Sequence, residues 1–329
     1  MAMPGAEPCL FNVRMNSHLQ RSYPPTESLA LAASGLESAR ATLSSPIRKI
    51  LSRMNFARYW SSIEIRVPAR FGKPGAVRVW GASNTDEQTA AGAARARAAQ
   101  ALAFFAGQAS DYEYATDTIR EEVIEEFADA AGERLAVITR NRYGALVLNT
   151  ERVLFGDVDL PSENFVLRLC NRLGRRARDK HFFLEAMRAF HSAHPQFVLQ
   201  VYETRAGLRF IVINREIGPD GPEVELLFKE LPVDRLYSRL CRTQLCFRAR
   251  LTPKPWRIGL ARPTTRFPFS TPLKQRSFNF WLGQYVAKSR NACAARRLER
   301  IGEASMPDAV RRVVEIHDRF ACDEDASLA

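Results

Sequence analysis

The stretch Phe155-Gly156-Asp157-Val158-Asp159-Leu160 closes an apolar run that begins near Arg152. Side chains two apart on a strand point the same way, so Asp157 and Asp159 share one face at the end of a β-strand. Two carboxylates so placed can both reach one divalent cation, and Mg²⁺ is held in this manner by one or two carboxylates together with substrate phosphates. The plainer alternative leaves Asp157 solvated at the strand end and Asp159 capping the turn that carries Pro161.

Working outward from this strand, Ala145 to Leu148 and the β-branched run Leu135 to Thr139 read as earlier strands, joined by the turn residues Asn141-Arg142-Tyr143-Gly144. Downstream, a basic helix or helix pair spans about Ser162 to Ser192, with Arg172, Arg175, Arg176, Arg178 and Lys180 on it. Pro195 ends it. Phe197 to Tyr202 and Leu208 to Ile213 flank Glu203-Thr204-Arg205-Ala206-Gly207 as a hairpin, and helix, turn and strand follow through Glu223 to Glu230, Asp234 to Arg242 and Leu245 to Leu251. The pattern predicts an α+β fold with a mixed or antiparallel central sheet and flanking helices.

Toward the N-terminus, Trp60 to Val67 and Ala76 to Gly81 alternate around Phe71-Gly72-Lys73-Pro74-Gly75, a second hairpin pattern. An Ala-rich helix then runs from the capping residues near Ser83 to Asp86 as far as Ala106. Another helix is expected from Asp117 or Thr118, with Glu121, Glu122, Glu125 and Glu126 on its face. Residues 1–50, rich in Ala, Ser and Pro, read as a disordered tail. Four regions result: the tail at 1–50, hairpin and helices at 51–130, a sheet domain at 131–260, and a basic helical C-terminal region at 261–329.

Charge narrows the function. The 329 residues carry a net +12, yet the 63-residue stretch from Arg235 to Arg297 holds 15 Lys or Arg and no Asp or Glu, which leaves the remainder at −3. One segment supplies the whole excess, as expected for a polyanionic partner, nucleic acid before an anionic membrane surface. No apolar run approaches the roughly 18 residues of a spanning helix, and the N-terminus has no long apolar core of a secretory signal, so a cytoplasmic location without a membrane partner is expected. The six scattered cysteines read as buried thiols.

Within the basic segment, Arg235, Arg239, Arg242, Arg248, Arg250, Lys254, Arg257, Arg262 and Arg266 are interleaved with Tyr237, Phe247, Trp256, Phe267 and Phe269. Arginine forks bind phosphates and aromatic faces stack on unpaired bases. Alternation puts Arg248 and Arg250 on one face of a strand and Phe247, Ala249 and Leu251 on the other. At the hairpin, a glycine at Gly207 would let backbone amides approach a phosphate contacted by Arg205 and Arg209, or would serve only the turn. His191 with His194, and Cys241 with Cys246, lack the further ligands a metal site needs. P-loop, dinucleotide, serine-hydrolase and zincin motifs are absent from the sequence.

An apolar strand ending in Asp-x-Asp, a helical connection, and a strand leading into a Thr-x-x-Gly turn about 45 residues on resembles the catalytic core of the archaeo-eukaryotic primase and primase-polymerase superfamily, over residues 135–260. The resemblance implies that Asp157 and Asp159 are the metal ligands, holding Mg²⁺ or Mn²⁺. The superfamily's second motif carries a histidine that contacts the nucleotide phosphates, and Arg209 stands in its place. Its third motif is a carboxylate on a later strand, and Leu245 to Leu251 has none, with Asp234 and Glu203 the nearest substitutes. Residues Arg239 to Gln244 and Leu251 to Arg257 are also similar to stretches of a bacterial protein family, a likeness that implies no function.

The expected function is therefore nucleic-acid interaction through a primase-polymerase-like core with one motif kept, one altered and one missing. If active it would be a metal-dependent nucleotidyltransferase, with Asp157, Asp159 and Arg209 at a nucleoside triphosphate. Arg205, Arg239, Arg242, Arg248, Arg250, Lys254, Trp256 and Arg257 would contact DNA or RNA, single-stranded favoured. The rival is a non-catalytic nucleic-acid-binding or assembly module whose carboxylates are structural.

Overall fold

The computed structural model describes residues 54–67, 75–108, 118–160 and 179–329. The tail at 1–50, the turn residues Phe71 to Pro74, Cys9, Cys170 and the arginines Arg172, Arg175, Arg176 and Arg178 lie outside the described residues. The chain divides into two compact units, 55–120 and 121–329.

In the first unit, β1 (Tyr59–Val67) and β2 (Gly75–Ser83) form the expected antiparallel hairpin. Helix α1 (Glu87–Phe105) packs on it, its first turn capped by the Asp86 carboxylate accepting from the Thr89 amide at 2.6 Å. Its buried face is Ala90, Ala94, Ala98 and Ala101. Such small side chains let the helix backbone touch the sheet. A Cβ at Gly81 would stand 2.1 Å from the Ala94 nitrogen, so only glycine fits there.

The second unit begins with β3 (Glu122–Ala128), β4 (Arg134–Arg140), β5 (Leu146–Thr150) and β6 (Phe155–Asp159). Helix α2 (Lys180–Ala193), β7 (Leu199–Thr204) and β8 (Gly207–Val212) follow. Next come α3 (Pro222–Glu230), α4 (Arg235–Gln244), β9 (Phe247–Arg250) and α5 (Pro272–Ser289). The chain ends with β10 (Ala292–Cys293), β11 (Ala295–Ile301), α6 (Asp308–Ala321) and β12 (Ser327–Leu328). Two four-stranded sheets result, β3-β4-β5-β9 and β11-β7-β8-β6, antiparallel throughout, while the short β10 and β12 pair in parallel. The fold is α+β, and the single central sheet expected from sequence is two sheets sharing one core.

That core joins Leu135, Ile138 and Leu148 of the first sheet to Phe155, Tyr202 and Phe210 of the second. Helix α6 covers it with Val310, Val313, Val314 and Ala321, at the spacing of one helix face, and His317 completes the same stripe.

Three local expectations change. Residues 122–128 form a strand where an acid-faced helix was expected. Val123, Ile124 and Phe127 favour extended backbone, and two bulges against β4 shift the pairing along it. As an edge strand it gains from its glutamates, because charge discourages edge-to-edge pairing. The C-terminal region is not all helical, since β11 enters the second sheet beside β7, burying Ala295 and Ile301 at its ends. Residues expected as a turn from Asp234 form α4, where the Asp234 carboxylate caps the Tyr237 amide at 2.7 Å.

Candidate functional site

Register builds the site. Strands β6 and β8 pair so that Asp157 stands directly opposite Arg209, and both side chains leave the same face. The Arg209 guanidinium donates to both Asp157 oxygens, at 2.8 and 3.3 Å, to the Arg250 carbonyl at 3.0 Å, and to His317 Nε2 at 3.2 Å. Arg209 is 2 % exposed and His317 is 0 % exposed. Accepting from a guanidinium requires a bare Nε2, so the His317 proton sits on Nδ1 and is donated to Asp318 at 2.8 Å. Arg297 binds the other oxygen of Asp318. Burial, with the charge of Arg209 beside it, holds the His317 imidazole below its ordinary pKa and therefore neutral. A continuous polar chain thus runs Asp157, Arg209, His317, Asp318, Arg297. Arg209, expected to meet a triphosphate, lines the cleft at the end of β6 and engages its guanidinium with Asp157, Arg250 and His317.

The end of β6 opens into a cleft of about 210 Å³. Asp157 and Asp159 line one side. Asp234 lines it too, held there because its amide donates to the Asp157 carbonyl at 3.1 Å while Tyr237, one turn on, donates to the Phe155 carbonyl at 3.0 Å. Burial and the charges of Asp157 and Asp234 hold the Asp159 carboxyl above the usual carboxylate range. Strand β9, in the first sheet, brings no acid to the cleft, and the third carboxylate there is Asp234 at the cap of α4.

Arg250, Lys254 and Arg257 line the same cleft, and the charges of Lys254 and Arg257 partly offset the rise at Asp159. After β9 the chain is pinned: Thr252 Oγ1 accepts from the Leu146 amide at 2.8 Å, and the Tyr285 hydroxyl reaches Thr252 and the Pro253 carbonyl. Pro253 and Pro255 are buried, and a short 3₁₀ turn, Pro255–Ile258, closes on Gly259 at φ +67°. This shelf aims the three cations into the cleft. Among the described residues none of them forms an ion pair, whereas Arg248 and Arg209 do. Burial and the charges of Arg209 and Arg257 push Arg250 down to about 10, and Lys254 is lowered by burial with Arg250 and Arg257. Arg257 is lowered by burial and by Arg205, and its Nη1 is buried without a hydrogen-bond partner.

Other expected contacts fall elsewhere. The alternation along β9 holds, with Phe247, Ala249 and Leu251 buried, but the Arg248 charge is taken up by Glu121 and by Gln244 at 3.1 Å. Arg248 is therefore a structural ion pair. Arg239 and Arg242 are exposed on α4 and do not line the cleft. Arg205 is exposed at the hairpin turn. Gly207 serves the fold there: a Cβ on it would stand 1.9 Å from the Val158 carbonyl oxygen, so its use is close packing on β6. Cys241 and Cys246 are buried free thiols pushed up to about 12 by burial.

The fit to a divalent cation is poor as the side chains stand. Both Asp157 oxygens are engaged by Arg209, and the three cleft carboxylates do not converge: among the described residues, the group whose ligand atoms lie within 4.8 Å of one another is His317, Asp318 and Cys322. That group is flanked by Arg209 and Arg297, whose charges oppose a metal ion. No described helix is long and apolar enough to cross a membrane. No protein-family model, curated protein or solved structure matches the chain.

Proposed function

We propose that this protein binds nucleic acid or nucleotides, and that the cleft between β6 and the shelf after β9 takes their phosphate groups. One observation carries the reading: Arg250, Lys254 and Arg257 line one cleft, burial and neighbouring positive charges lower the proton affinity of each against the attraction of Asp157 and Asp159, and none forms an ion pair among the described residues. Packing like charges together costs free energy that a bound anion relieves, and guanidinium groups suit phosphate oxygens. A labelled oligonucleotide at about 50 mM salt, where electrostatic attraction is strong, should bind, and pyrophosphate should compete. Absence of binding to both DNA and RNA at that salt removes the reading.

The second reading is metal-dependent nucleotidyl transfer, and its support is that burial and the negative charges of Asp157 and Asp234 bear on Asp159, a load that Mg²⁺ or Mn²⁺ would relieve. It requires Asp157 to leave Arg209 first. If the cation binds, millimolar Mn²⁺ raises the thermal midpoint and Asp159→Asn abolishes the rise; an unchanged midpoint removes the metal.

A further inference from the structure

Beside the cleft, aromatic rings and cations alternate in space although they come from two connections, the β4–β5 turn and the segment between β9 and α5. Tyr143, in the β4–β5 turn, meets Trp256 edge to face with ring centres 5.2 Å apart. The Arg262 guanidinium lies over both rings, 4.4 Å from the Trp256 centre and 5.2 Å from that of Tyr143. Arg142 lies 4.7 Å over Tyr143, and Lys254 Nζ 5.7 Å over Trp256. The series Arg142, Tyr143, Arg262, Trp256, Lys254 ends in the cleft, because Lys254 lines it. Arg142, Arg262 and Trp256 are exposed, Trp256 by 41 %, and none of the three cations has a carboxylate partner among the described residues.

We infer that this ladder is the track of a single-stranded nucleic acid whose phosphate occupies the cleft. The inference rests on the phosphate-binding reading above and adds the class of ligand. Stacking on aromatic rings and guanidinium planes needs bases whose faces are free, which unpaired strands present and duplexes do not. Arg142, Arg262 and Lys254 meet the backbone while the Tyr143 and Trp256 rings meet bases. An acidic protein surface would use the cations and leave the aromatic rings without a role.

The test compares thymidine 5′-monophosphate, an oligothymidylate of about 12 nucleotides and a duplex of the same length, a span within the range of single-strand sites. The oligonucleotide should bind far more tightly than the mononucleotide, and more tightly than the duplex. Trp256→Leu and Tyr143→Leu should each weaken the oligonucleotide roughly five- to 140-fold, the value of one stacked base, and leave the mononucleotide unchanged. Arg262→Gln, an exposed change that leaves the core intact, should weaken the oligonucleotide and flatten its log-log salt dependence by about 0.7. Mononucleotide binding with no gain from length, wild-type oligonucleotide affinity in the Arg262→Gln and Tyr143→Leu proteins, or equal affinity for duplex overturns the track and leaves the cleft standing. Failure of every ligand to bind overturns both.

Discussion

His317 offers a sharp test of the buried polar chain, because it bridges two charged groups while remaining uncharged. Replacing it by leucine removes the acceptor of Arg209 and the donor to Asp318 together. Hydrogen bonds to charged groups contribute about 1.5–3 kcal/mol each, and the gain from burying leucine offsets part of the loss. His317→Leu should therefore cost about 3 kcal/mol at a pH near 7.5, and His317→Gln, which can rebuild one of the bonds, about half that. The pH dependence is more specific. The folded chain holds His317 below the ordinary imidazole value of 6.5, so between the two values the unfolded chain binds the extra proton. The stabilisation is complete above that ordinary value and is lost as pH falls toward the depressed one, with a slope of up to about 1.4 kcal/mol per pH unit. Urea unfolding at stepped pH from about 7.5 down to 5.5 reads this slope directly. The His317→Gln protein should show a flatter dependence across that window. Parallel curves for wild type and His317→Gln would refute the neutral bridge.

Two further outcomes separate structural from binding cations. Arg248→Gln, which breaks the ion pair with Glu121, should lower stability by about 1–3 kcal/mol and leave the salt dependence of oligonucleotide binding unchanged; a flatter dependence would return Arg248 to the binding surface. Lys254, lowered by burial and by Arg250 and Arg257, should react with an amine-directed acylating reagent near pH 8.5 faster than exposed lysines such as Lys229 and Lys288, and pyrophosphate should protect it. Peptide mass spectrometry that finds no preference for Lys254 would count against the converging cations.

Periodicity made the strands around Asp157 and the alternation along β9 legible, because both depend on neighbours within a few residues. The shelf residues Lys254, Trp256 and Arg257 were legible as a charged and aromatic cluster for the same reason. What sequence could not show was which charges are already satisfied. Arg209 meets Asp157 across 52 residues and His317 across 108, and Arg248 meets Glu121 across 127. Such pairings follow from sheet register and helix docking, not from spacing. The mistaken helix at 122–128 has a related cause: its glutamates recur at helical intervals, while the bulged pairing with β4 decides the backbone. His317 had one available signal, a polar residue at a buried position of the α6 apolar stripe. Tyr143 had none beyond its place in a turn.

The claim at the centre is that the cations of the cleft meet phosphate, and the salt dependence of oligonucleotide affinity tests it most directly. For the wild-type protein the logarithm of the association constant should fall linearly with the logarithm of salt concentration, at about 0.7 per phosphate neutralised on a single strand. Replacing Lys254 and Arg257 together by glutamine removes two such contacts and should make the slope shallower by about 1.4. An unchanged slope in the double variant, with binding intact, would contradict the assignment of the cleft.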